Sequence, residues 1–184
     1  MKLPVRTLKL QIRPGRSYES RLYREQSPFK MRAIPIASVM LASMATTLPL
    51  IESEPILPPF GFMMLLAWRM MRPGIWPVWI GLPLGLFDDI FSGQPFGCAG
   101  LIWSLTMLAM ELIDTRASWR DYWQDWIIAA LMISAALMLG WRIAGLVHPI
   151  PSVTTIFPQL MLSILLFPLV VRICSWLDRL RLAT

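Results

Sequence analysis

Two adjacent carboxylates, Asp88 and Asp89, stand inside an apolar stretch that begins at Ile75, and Gly85, Gly93 and Gly97 fall at four-residue spacing around Asp89. Successive acids on a helix point roughly 100° apart, which is poor geometry for a carboxyl pair that shares a proton. The spacing of four places Gly85, Asp89, Gly93 and Gly97 near one helix face instead, a closely approachable stripe that carries one ionisable group to membrane depth. An aspartate at the centre of a membrane helix costs roughly 2.5 to 3.5 kcal/mol to insert, and less near an interface. Either both carboxylates reach water at the outer end of their span, or one of them has a structural or binding role in the protein interior.

The other candidates for chemistry do not assemble. Catalysis needs a nucleophile with a base, a metal with its ligands, or paired acids at a cleft. His148 is the only histidine and precedes Pro149 in an outer loop, where an exposed loop residue is the simpler reading than a general base. Glu111, Asp114, Asp121 and Asp125 gather near an inner loop with Arg116 and Arg120, as a solvated mixture of charges does. Cys98 and Cys174 fall near opposite membrane faces, so a disulfide between them would have to cross most of the bilayer, and both read as free, packed thiols. Metal-ligand spacing, a phosphate-binding glycine loop and nucleic-acid motifs are all missing from the sequence. The expectation is a protein that is not an enzyme, with no cofactor, no metal and no nucleic-acid partner.

The elements that position these residues follow from hydropathy. The chain is 56% hydrophobic and 15% charged, with a mean hydropathy of +0.58, against roughly 25% charged residues in soluble domains. It reads as an all-α integral membrane protein, a polytopic bundle of about six transmembrane helices of roughly 17 to 25 residues each. Candidate spans run over 33–51, 55–71, 75–92, 97–113, 124–147 and 153–177. Pro58, Pro59, Pro77 and Pro83 delay or bend the second and third, and Pro158 and Pro168 predict kinks in the sixth. The first span follows a basic tail and lacks a small-residue cleavage pattern, so it reads as a retained span.

Charge tests this count. Lys and Arg precede the first span, recur at Arg69 and Arg72 and at Arg116 and Arg120, and close the sixth at Arg172, Arg179 and Arg181, while the alternate loops carry none. With six spans, all of these share one face, and the positive-inside rule puts both termini in the cytoplasm. A five-span arrangement would scatter them. Trp68, Trp76, Trp79, Trp119, Trp123, Trp126 and Trp176 fall near the same ends and read as interfacial anchors, in preference to an aromatic ligand box.

Arg142 is the basic residue outside the pattern. At about 1.5 Å per residue it lies at a depth comparable to that of Asp89. Two readings follow: an interhelical ion pair with Asp88 or Asp89 that holds the third span to the fifth, or a side chain that snorkels to outer headgroups.

Two parts make up the chain, a basic tail over 1–32 and a six-helix transmembrane domain over 33–180. The tail mixes helical charge spacing at Lys2, Arg6, Lys9 and Arg13 with strand-like alternation at Leu8, Leu10 and Ile12, and is read as mostly extended or disordered. Each basic residue near an anionic leaflet contributes about 1 kcal/mol, so anionic lipid is the expected partner of this segment.

The run from Gly85 through Asp88, Asp89, Ser92 and Gly93 to Gly97 resembles the rod shape-determining protein MreD family, whose third span carries a glycine, an aspartate four residues on, then Ser-Gly and another glycine. Chain length, short loops and cytoplasmic termini extend the resemblance over most of 33–180, whereas Asp88 and the long basic tail depart from it. It implies a non-enzymatic subunit of the bacterial elongation machinery in the inner membrane, one that organises lateral peptidoglycan synthesis. The implied partners are the bitopic protein MreC and, through it, the MreB filament, the glycosyltransferase RodA and a class B penicillin-binding protein. Glycine-lined faces suit the docking of other membrane helices, so Gly85, Asp88, Asp89, Gly93, Gly97 and Arg142 are the candidate packing and partner residues. The competing class is the substrate-capturing membrane component of a vitamin transporter, a six-helix fold the family is thought to resemble. Ala33 and Ala37 supply the small-residue pattern such proteins use, but few polar residues could line one outer cavity.

Overall fold

The computed structural model describes residues 28–45, 57–93, 95–116, 121–146 and 153–183. Among these the chain forms six α-helices: α1 (Pro28–Met44), α2 (Phe60–Met71), α3 (Gly81–Ser92), α4 (Cys98–Arg116), α5 (Tyr122–Ala144) and α6 (Val153–Ala183), with a single 3-10 turn at Val78–Ile80 leading into α3. The expected six elements are present, with altered lengths. α1 starts at Pro28, inside the segment assigned to the tail, and carries Pro35 within it. The remainder of the tail, with its expected disorder, lies outside the described residues, as do His148 and Trp119.

α4, α5 and the stretch Ile156–Arg181 of α6 are long and apolar enough to cross a membrane, and Ala33–Met44 and α2 are shorter apolar helices. α2 and α3 have 12 residues each, about 18 Å of helix against a hydrocarbon core of about 30 Å. Proline and glycine set these limits. Pro58 and Pro59 hold off α2, Pro77 is the extended residue before the 3-10 turn, and Gly93, at φ 67°, ends α3 in a left-handed conformation.

The short α2 is the centre of the bundle. Every residue from Gly61 to Arg69 is buried, as befits a helix apolar on all sides and enclosed by others. It lies chiefly against α1 and α6, α3 packs along α4 and also meets α1, and α5 closes against α4 and α6. The core joins Phe62, Met63, Leu65, Leu66 and Trp68 of α2 to Trp103, Met107 and Met110 of α4, Ile133 of α5 and Phe167, Val170 and Cys174 of α6. Facing outward are Leu101, Leu105, Leu108 and Leu112 on α4 and Phe157, Met161, Leu165, Leu169 and Ile173 on α6. These long helices are therefore apolar on both faces, the pattern of a bundle surrounded by lipid.

Candidate functional site

The stripe expected on one helix is divided between two elements. α3 stops at Ser92, Gly93 has φ 67° and Gly97 φ 95°, and neither of these glycines has anything within 4 Å of where a Cβ would sit. Both are needed for backbone conformation, because L side chains disfavour these angles. Gly85 is needed for space. A Cβ there would lie 2.6 Å from the Ala99 carbonyl oxygen and 2.6 Å from Gly100 Cα. One turn earlier Gly81, which the sequence reading passed over, meets the Trp103 carbonyl oxygen at 2.8 Å in the same way. The continuous small-residue stripe is thus Gly81, Gly85 and Asp89, laid against the backbone of α4.

Asp89 terminates this stripe and gives it direction. Its Oδ2 accepts hydrogen bonds from the N–H groups of Gly97 (2.8 Å) and Gly100 (3.3 Å), and its Oδ1 accepts from Ala99 (2.8 Å). Gly97 immediately precedes α4, and Ala99 and Gly100 lie in its first turn, where the N–H groups have no intrahelical acceptor. A buried carboxylate from a neighbouring helix satisfies them and sits at the positive end of the helix dipole. Asp89 is therefore a cap supplied across the α3–α4 seam, and the glycines let the two backbones approach closely enough for it to reach.

Asp88 points elsewhere. It faces Ser43 of α1 where α2 passes closest: a Cβ on Gly61 of α2 would lie 3.0 Å from its Oδ1 and 2.2 Å from Ser43 Oγ. The three residues form a tight polar contact between α1, α2 and α3. On its other side Asp88 lines a cavity of about 210 Å³ together with Pro59, Phe62 of α2, Ala99 and Trp103 of α4, Gly140 and Trp141 of α5, and Gln159 of α6. Gln159 is fixed there by donating from Nε2 to the Leu57 carbonyl at 2.7 Å.

The ion pair expected between Arg142 and one of the two carboxylates does not form. Arg142 is exposed, and its guanidinium lies over the Trp141 ring at 5.3 Å from the centroid. The reason is geometric. α3 lies against α4 and α1, Asp89 is committed to the α4 terminus, and the cavity separates Asp88 from the end of α5.

At the opposite end of the bundle Asp121 and Arg116 are exposed, as a solvated charge mixture would be, but Glu111 and Asp114 of that group are drawn to a buried cation. Arg69 is 2% exposed and pairs with Glu111 and with Asp114, the latter at 3.0 Å. Arg72 pairs with Asp178 at 2.8 Å, and Arg181 meets Asp178 at 3.3 Å while covering the Trp68 ring at 5.9 Å. Trp68, expected as an interfacial anchor, is fully buried and donates from Nε1 to Ser38 Oγ at 2.9 Å. Trp76 is also buried, whereas Trp79, Trp123 and Trp176 are exposed as anchors should be. Cys98 and Cys174 are free and buried, as expected. The network ties α2 to α4, α6 and α1. Its signal in the sequence was Arg69 itself, a cation inside an apolar helix only 12 residues long.

Among the described residues no group of His, Cys, Asp and Glu could hold a metal ion. Trp68, Arg69, Asp89 and Asp178 join helices to one another, which is structural work. No curated protein and no solved structure matches the chain. A family model, that of the rod shape-determining protein MreD, matches residues 27–178, from the residue before α1 to Asp178 in α6. The chain, a helical membrane protein whose Gly-Asp-Ser-Gly-Gly series builds the α3–α4 junction, therefore belongs to the family of the rod shape-determining protein MreD, which has its role in rod-shape determination.

Proposed function

We propose that this protein is a non-enzymatic subunit of the bacterial elongation complex, organising lateral peptidoglycan synthesis by docking an MreC-like bitopic partner and, through it, MreB, RodA and a class B penicillin-binding protein. The observation that carries this reading is the family match over the whole bundle. Trp68, Arg69, Asp89 and Asp178 support it, because they are spent on helix-to-helix contacts that make a scaffold. In this reading Gly85, Asp89, Gly93 and Gly97 hold the α3–α4 unit in the shape a partner helix recognises, Asp88 keeps α1 and α2 in register with it, and Arg142 stands at the rim of the same end. The protein lies in the cytoplasmic membrane with both termini inside, a placement supported by the basic residues that recur at the Arg69–Asp178 end. The basic tail adds attraction to anionic lipid there.

The cavity beside Asp88 is the feature that a vitamin-capturing protein would use. Its volume of about 210 Å³ falls below the roughly 300 to 1,000 Å³ of pockets for such ligands, which favours the scaffold. Affinity purification of the tagged protein from gently solubilised native membranes tests the choice. Recovery of a single-span periplasmic protein together with cell-wall synthases is expected, and recovery of a transporter ATPase module instead would overturn it.

A further inference from the structure

We propose that the cavity between Asp88 and the end of α5 receives the headgroup of an ethanolamine phospholipid, with the ammonium on Asp88 and the phosphate on Arg142. The walls are apolar apart from Asp88 and the Gln159 amide. A carboxylate facing such a space selects an organic cation, and a volume of about 210 Å³ admits a headgroup. A lone cation does not complete the site. Trp141 belongs to the wall and carries the Arg142 guanidinium on its ring, and among the described residues no carboxylate pairs with Arg142. A lysine or arginine side chain entering from a partner protein would meet Asp88 favourably and Arg142 unfavourably. A zwitterion satisfies both, the planar guanidinium taking phosphate oxygens.

The fold supplies the rest of the lipid's environment. Met138 and Phe157, each next in sequence to a residue that lines the cavity (Leu137, Ile156), are exposed on α5 and α6, so acyl chains leaving the headgroup would run along apolar helix faces within the leaflet. Asp88 and Arg142, which do not form the ion pair that the sequence suggested, would then each hold one end of a headgroup.

Native mass spectrometry of the full chain in detergent, incubated with matched-chain phosphatidylethanolamine, phosphatidylcholine and phosphatidylglycerol, tests this. The wild type is expected to retain phosphatidylethanolamine about tenfold better than phosphatidylcholine, whose methylated nitrogen cannot donate to Asp88, and better than phosphatidylglycerol, which has no cation. Asp88→Asn, which keeps the shape of the side chain, is expected to abolish the preference, and Arg142→Gln to weaken all three lipids together. Equal retention of the three lipids by the wild type, or a preference that survives Asp88→Asn, overturns the assignment. Stepwise N-methylation of the lipid needs no variant: retention is expected to collapse once the last N–H is replaced, and a flat series again overturns it. Soluble glycerophosphoethanolamine, which has the headgroup without chains, is expected to compete poorly, and competition equal to that of the lipid would refute a lipid occupant.

Discussion

Replacing Asp89 by asparagine keeps the shape of the side chain and removes its charge and one acceptor. In the best orientation the amide oxygen takes the place of Oδ2 and keeps Gly97 and Gly100, while the NH2 group faces the Ala99 N–H, donor against donor. One buried N–H left without an acceptor costs about 1 to 3 kcal/mol. Loss of the charge at the helix terminus adds about 0.3 to 1 kcal/mol. The seam should weaken by about 1.3 to 4 kcal/mol in sum, which raises the population of its open form by roughly ninefold to several hundred-fold. Cys98, the first residue of α4, is 4% exposed and reports that opening directly, and Cys174, fully buried between α2 and α6, serves as the control. In single-cysteine variants carrying Asp89→Asn, a small membrane-permeant thiol reagent should label Cys98 faster by the factor above and leave Cys174 unchanged. Asp88→Asn should leave Cys98 nearly untouched, because it contributes nothing to the cap. An acceleration at Cys98 below about fivefold would mean that the three hydrogen bonds do not hold the α4 terminus. Equal acceleration at both cysteines would mean that Asp89 supports the whole bundle and not this seam.

Gly85→Ala drives a Cβ into the α4 backbone and should cost about 1 to 3 kcal/mol by SDS-induced unfolding, whereas Gly93→Asn, with open space and a residue that tolerates φ near 67°, should cost well under that. Asparagine at position 85 should be worse than alanine, which reverses the order expected at Gly93. Arg69→Met removes the buried cation facing Glu111 and Asp114 and should destabilise by about 3 to 5 kcal/mol in the same assay; adding Glu111→Gln and Asp114→Asn should recover much of that loss. Ser38→Ala takes the acceptor from Trp68 Nε1 and should lower stability by about 1 to 3 kcal/mol, read as a lower thermal midpoint. In cells that depend on this chain, Asp89→Asn should distort rod shape more than Asp88→Asn does, measured as cell width at matched protein levels.

Hydropathy alone revealed six helices, because a membrane helix must be continuously apolar and its breaks are proline or charge. It did not reveal which helix is central. A segment such as Phe60–Met71 is apolar all round whether lipid or protein surrounds it, so its burial has no period to detect. The Gly85 to Gly97 series was legible as a motif and misread as geometry. Spacing of four implies one face only if the helix continues, and Gly93 followed by Pro95 is as much a helix stop as a packing stripe. Once the helix ends there, Asp89 lies beside the next helix's first turn, a relation that no spacing rule expresses. Charges near Arg69 read as solvated because Glu111 and Asp114 are distant in sequence, and only the packing of α2 against α4 brings them to it. Arg142 failed as an ion-pair partner for the converse reason: similar depth does not make two helices neighbours.

The central position of α2 sets a problem for biosynthesis. Arg69 leaves the ribosome 42 residues before Glu111, and Arg72 106 residues before Asp178. At about 5 to 20 residues per second these intervals are roughly 2 to 8 s and 5 to 21 s. Throughout that time a helix too short to cross the bilayer carries cations whose partners have not been made. Among the first helices synthesised, α2 is the last to be enclosed, so the nascent protein must hold it in a half-inserted state, or in the care of the insertion machinery, until α6 arrives to seat it.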